Sequence, residues 1–127
     1  MRKKILYALF LTTVLIVTAA TAQDTAPADV SGEWAITLTF VSGTGNHTAV
    51  ISQDGGRLKG QYRGELLEGS LSGTVEGANV IFTGRLRKES TGVSFRYTGT
   101  VTGNTMSGTV DMGEYWTADF TAERKEK

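Results

Sequence analysis

The stretch YTGTVTGNTMSGTV, Tyr97 to Val110, sets one glycine in the middle of each of two consecutive strand-like runs. Glycine weakens a strand, so a repeated glycine in a fixed frame marks a bend or a close approach rather than chance. Gly103-Asn104 between the runs is a two-residue hairpin signal. A loop of that length pairs Thr102 with Thr105 and, counting back, sets Gly99 opposite Gly108. It also sets Thr98 opposite Thr109 and Thr100 opposite Ser107 on the other face, both favourable cross-strand pairs. The same apolar-x-Gly-x-apolar frame recurs upstream as LKGQY, LSGTV and FTGRL, placing Gly60, Gly73 and Gly84 beside Gly99 and Gly108 on one inward face.

Working outward, period-2 alternation interrupted by turn signals runs from Gly32 to the end of the chain, which argues an all-β fold. Eight runs follow: Glu33–Val41, His47–Gln53, Arg57–Gly64, Ser70–Glu76, Asn79–Arg87, Gly92–Thr102, Thr105–Met112 and Trp116–Arg124. Their short connections predict antiparallel neighbours. One face is apolar, with residues such as Trp34, Leu38, Leu58, Tyr62, Phe82, Phe95, Tyr97, Met112, Trp116 and Phe120. The other carries Thr, Ser and charge, as at Arg85, Arg96, Asp111 and Asp119. A flat eight-stranded sheet would leave the apolar face wet, and a membrane barrel would turn it outward to lipid. The expected fold is an eight-stranded antiparallel up-and-down barrel, a meander closed on itself.

A two-residue loop at Gly77-Ala78 pairs Glu76 with Asn79, Gly73 with Phe82 and Leu71 with Gly84. A three-residue loop, Gly113 to Tyr115, sets Gly108 against Phe120. Glycine lets a narrow barrel bend while a large neighbour fills its place. Gly99 and Gly108 oppose each other with no side chain on either. Two outcomes are open there: the indoles of Trp34 and Trp116 close the gap, or the gap is a small apolar pocket.

With 127 residues the chain suits one domain. Residues 1–22, MRKKILYALFLTTVLIVTAATA, have a basic start, an apolar middle from Ile5 to Val17 and an Ala20-Thr21-Ala22 ending, the pattern of a cleaved signal peptide. The middle falls short of the roughly 20 residues of a membrane-spanning helix. The mature protein is expected in the periplasm or outside the cell. Without cysteine it has neither lipoprotein anchor nor disulfide. Residues 23–31, QDTAPADVS, read as a flexible leader, 32–124 as the barrel domain and 125–127 as a tail. Loss of Arg2, Lys3 and Lys4 leaves 10 Lys+Arg against 13 Asp+Glu, a net of −3 spread along the chain. Such a balance gives no basic field for nucleic acid and no membrane span in the mature chain.

No residue set compels a reaction, so no catalytic residue, metal site or cofactor is expected. His47, the single histidine, reads as a surface residue beside the polar loop VSGTGNH, without orienting partners for a triad. Glu65 with Glu68, and Asp111 with Asp119, read as solvated charge. The glycine-rich SGTG and TGN lack the strand–loop–helix context of a phosphate cradle. Asn46-His47-Thr48 matches the N-glycosylation acceptor pattern.

The opening SGEW, Ser31 to Trp34, resembles the Gly-x-Trp start of the lipocalin and avidin-type calycin barrels, and LKGQY resembles an avidin strand. That resemblance implies the barrel fold and a closure in which Arg124 of the last strand packs across Trp34; it implies no particular ligand. APADVSGEW is similar, more weakly, to the junction between leader and barrel in bacterial secreted metalloprotease inhibitors. The expected activity is binding: a small apolar ligand in the barrel, near Trp34, Tyr62, Phe95, Tyr97, Met112 and Trp116. The alternatives are a protein partner, such as a protease met through the leader, and a filled structural barrel.

Overall fold

The computed structural model describes residues 26–88 and 91–126. Residues 1–22, read as a signal peptide, and the first residues read as a leader lie outside the described range. The chain forms eight strands: β1 Gly32–Phe40, β2 Gly43–Asp54, β3 Arg57–Arg63, β4 Glu68–Glu76, β5 Asn79–Lys88, β6 Thr91–Thr102, β7 Thr105–Asp111 and β8 Thr117–Arg124. They close as a barrel in sequence order, each antiparallel to the next, with β8 returning to β1. Two-residue loops set the register at Asp54/Arg57, Glu76/Asn79 and Thr102/Thr105. Gly55, Gly77 and Gly103 open these loops with φ near +60°, the left-handed backbone that tight hairpins demand and glycine adopts without strain.

The register follows from those turns. Gly99 lies opposite Gly108, Thr98 opposite Thr109, Gly73 opposite Phe82, Leu71 opposite Gly84 and Gly108 opposite Phe120. Between β7 and β8 the expected three-residue loop is a 3-10 turn over Gly113–Tyr115, closed by Met112 N–H donating to the Trp116 carbonyl at 2.9 Å. Most strand ends fall within one or two residues of those expected, and the start of β2 differs most. Residues 43–46, read as loop, begin β2, because Phe40 pairs directly with Gly43 across the two-residue turn Val41-Ser42. Gly45 is buried there, with the Phe40 ring 3.5 Å from where a Cβ would stand. The longer strand puts His47 opposite Ile36 within the sheet rather than at its edge.

The interior is lined by Trp34, Ile36, Leu38, Leu58, Tyr62, Phe82, Tyr97, Val110 and Phe120, all buried. Two glycines have rings laid on them from the next strand but one. A Cβ at Gly84 of β5 would meet the Tyr62 ring of β3 at 2.4 Å, and one at Gly99 of β6 would meet Phe120 of β8 at 2.9 Å. The place opposite Gly99 and Gly108 is therefore filled by Phe120 rather than by the indoles. Tyr97 stacks on Phe82 at 4.5 Å and meets Phe120 edge-on at 4.8 Å, geometries that favour aromatic pairs beyond their buried area.

Outside, the register gathers charge that the sequence spreads evenly. Arg57, Lys59 and Arg63 on β3 share one side with Arg85, Arg87 and Arg96 on β5 and β6, with Glu68 and Glu76 between them on β4 and Glu68 3.6 Å from Arg63, whereas Asp111, Asp119, Glu123 and Glu33 lie along β7, β8 and β1. Among the described residues no helix is long and apolar enough to cross a membrane.

Candidate functional site

A barrel has two ends, and here they differ. At one end lie the start of β1 and the turns at Gly55, Gly77 and Gly103. Residues 26–31 run across it. Ala28 N–H donates to the Gly77 carbonyl at 2.8 Å, and Gln53 holds the strand on both sides, its Nε2 donating to the Ala28 carbonyl and its Oε1 accepting from Val30 N–H. Val30 is 0% exposed and belongs to the core. The flexible leader expected over residues 23–31 is thus, from residue 26, a plug. An apolar side chain two residues before β1 thus reaches the dry interior.

Trp34 and Arg124 complete that seal. The Trp34 indole N–H donates to the Val30 carbonyl at 2.9 Å. The Arg124 guanidinium lies 4.5 Å above the indole ring and donates to the carbonyls of Ser31, Asp29 and Gly103 and to Asn104 Oδ1. A cation over an aromatic face with its donors satisfied costs little to hold. Lys125, read as tail, continues the pairing: its N–H donates to the Glu33 carbonyl and its Nζ reaches Glu33 Oε2 at 2.9 Å.

At the other end no described segment crosses the barrel. Phe40, Leu67 and Phe95 pack against the core there but stay only partly buried, as do His47 and Val93. An inward-facing residue of a closed barrel can reach solvent only through an open end. The rim carries Val41, Leu66 and Trp116, exposed by 109%, 95% and 73%, one on each of the β1–β2, β3–β4 and β7–β8 connections. Three apolar side chains held in water around one opening are unlike singly scattered surface hydrophobics. A depression of about 770 Å³ lies between two of these connections, bordered by Phe40, Val41, Ser42, Asp111, Gly113, Trp116 and Thr117.

Trp116 does not point inward as parity requires. It is the one described non-glycine residue with positive φ, +104°, a backbone region nearly confined to glycine. The reversal follows the 3-10 turn and swings the indole from the interior to the rim. Of the six expected ligand residues, Tyr62, Phe95, Tyr97, Met112 and Trp116 therefore belong to the open half, inside or at its rim. Trp34 sits at the sealed end.

The open half also holds a group read wrongly from sequence. His47, expected on the surface, points into the barrel. Its Nδ1 is hydrogen-bonded to the Tyr62 hydroxyl, which is bonded in turn to the Tyr97 hydroxyl. The imidazole meets the Tyr62 and Phe95 rings edge-on at 5.2 and 5.1 Å. The signal was present in the alternation, since His47 shares parity with Ala49 and Ile51; its polarity masked it. Burial pulls the His47 pKa below its ordinary 6.5, against a weaker upward pull from Glu65. Burial pushes the Tyr62 phenol far upward, helped by Tyr97, and raises Tyr97 as well, against a smaller opposing effect of its bond to Tyr62. All three groups are neutral near pH 7.

Among the described residues no three histidine, aspartate or glutamate side chains converge as metal ligands. Among the described residues, the half of the barrel away from Val30 thus keeps apolar side chains partly exposed and holds a short neutral hydrogen-bonded chain. No protein-family model, curated protein or solved structure matches this chain.

Proposed function

We propose that the protein is an exported, non-catalytic binding barrel that takes a small apolar molecule in its single open mouth, in the manner of calycin barrels. The observation that carries this reading is the asymmetry of the ends: one is plugged by Val30, Trp34 and Arg124, while the other keeps Phe40, Phe95 and Leu67 partly exposed inside a rim of Val41, Leu66 and Trp116. Apolar surface is costly to hold in water, at roughly 25 cal/mol per Å², and a concave apolar opening with few polar groups is the usual form of a small-ligand site. The strained backbone at Trp116 fits the same reading, since strain of this kind concentrates at binding sites. The rings packed beneath the mouth imply a molecule seated at the opening rather than swallowed whole. The reading through an inserting leader draws no support from residues 26–31, which are engaged with the barrel itself.

Tryptophan fluorescence separates the two indoles by environment, because Trp34 is buried and Trp116 is exposed. Titration with fatty acids and flat aromatic compounds should shift the emission to the blue as Trp116 leaves water. The shift should vanish in Trp116→Phe. A spectrum unchanged by every compound would overturn the reading.

A further inference from the structure

The direction of the hydrogen bonds among His47, Tyr62 and Tyr97 has a consequence for what the mouth selects. Tyr97 is fully buried, and among the described residues its hydroxyl has one hydrogen-bond partner, Tyr62. Suppose the chain ran from His47 toward Tyr97, with Nδ1–H donating to Tyr62 and Tyr62 to Tyr97. The Tyr97 O–H would then be a buried donor without an acceptor, the costlier kind of unmet polar group. Run the other way, Tyr97 donates to Tyr62, Tyr62 donates to Nδ1, and only a lone pair of Tyr97 is left over. That direction fixes the imidazole as the tautomer with its proton on Nε2. No described protein group is hydrogen-bonded to Nε2. This nitrogen points toward the β3–β4 connection, 3.6 Å from where a Cβ of Gly64 would stand, and the half-buried ring reaches solvent through the mouth.

We infer that His47 Nε2–H is the polar anchor of the mouth, and that its ligand is an apolar molecule carrying an uncharged hydrogen-bond acceptor, such as a ketone, ester or amide carbonyl. The inference rests on the mouth reading proposed above. Two observations set the acceptor as neutral. The chain behind His47 supplies a donor without a positive charge, so a carboxylate gains no ion pair. Glu65 lies on the same side, its Oε1 3.5 Å from Asn46 N and near enough to act on the His47 charge; a second carboxylate brought there is repelled. Phe95 and Tyr62, edge-on to the imidazole, set apolar surface on two sides of the anchor. Tyr62 and Tyr97 are positioning residues, holding the tautomer without touching the ligand.

The test uses three probes of equal chain length: a medium-chain methyl ketone, the alkene in which a methylene replaces the carbonyl oxygen, and the carboxylate. Binding is read by Trp116 emission on the full mature chain. The ketone should bind about tenfold more tightly than the alkene, the worth of one well-made hydrogen bond in a dry site, and more tightly than the carboxylate. In His47→Phe the ketone should fall to the alkene's affinity while the alkene is unchanged. Nitrogen-15 NMR of the unliganded wild-type protein gives a readout independent of any variant's folding, and should find the proton on Nε2. Ketone and alkene binding equally in the wild type, or a proton on Nδ1, would overturn the anchor while leaving the mouth reading intact. The carboxylate binding most tightly would overturn the neutral acceptor. Binding of none of the three would overturn the mouth reading along with the anchor.

Discussion

Replacing the two core tyrosines by phenylalanine, singly and together, measures the polar chain directly. Both residues are 0% exposed, and each substitution removes one oxygen with almost no change of shape. Tyr62→Phe removes two hydrogen bonds and leaves the Tyr97 O–H as a donor without an acceptor in a dry core. An orphaned buried donor costs about 1–3 kcal/mol. Tyr97→Phe removes one bond and leaves Tyr62 still donating to His47, so its cost is an ordinary hydrogen bond, about 0.5–1.5 kcal/mol. The double variant has no orphan at position 97 and should be no less stable than Tyr62→Phe alone, a coupling of about 1 kcal/mol between touching residues. Urea unfolding followed by far-ultraviolet circular dichroism gives all four stabilities. In thermal scans each kcal/mol moves Tm by roughly 4–8 °C for a domain of this size. Equal costs for the two single variants, or strictly additive costs in the double, would refute the chain and the tautomer derived from it.

Two further outcomes follow from the same structure. Because burial holds the His47 pKa below 6.5 in the folded protein, the unfolded chain takes up a proton first on acidification; stability should be flat above about pH 7.5 and fall below pH 6.5 until the folded pKa is passed. The slope is at most about 1.4 kcal/mol per pH unit, and His47→Gln should flatten it in urea titrations between pH 7.5 and 5.5; a stability that rises on acidification in that window would contradict the buried neutral imidazole. Val30→Ala, which empties part of the plug, should cost about 2 kcal/mol by urea unfolding, in the range for deleting buried methyl groups, whereas a change under 0.5 kcal/mol would show residues 26–31 to be a loose leader after all.

The barrel and its register were legible because two-residue turns leave no freedom: once Gly77-Ala78 and Gly103-Asn104 are recognised, every facing pair on those strands is counted off. The mouth was not legible in the same way. Val30 looks like part of a polar leader until the chain is seen to cross an end whose core is short of one side chain. His47 looks like loop because the glycines before it read as a turn, yet Gly43 and Gly45 are strand residues, and Gly45 lies beneath the Phe40 ring. Its partner Tyr62 stands fifteen positions on, joined through the sheet and not through any local spacing. Trp116 defeats parity because a single positive φ reverses the face, and no residue type announces such a torsion. The ring on Gly84 comes from two strands away, a relation that pairwise counting across neighbours cannot produce.

The pairing of β8 with β1 has a bearing on how the polypeptide matures. Six residues of β1, Trp34 to Thr39, find their second set of backbone partners in Asp119 to Arg124, which are synthesised after all the strands between them. Until then the first strand presents a bare row of amide and carbonyl groups, open to pairing with any other extended chain. Contacts between such distant segments are slow to form. A nascent chain of this design therefore stays uncommitted until β8 is made, a state suited to being threaded or escorted, and becomes inert toward its neighbours only when that strand docks on β1.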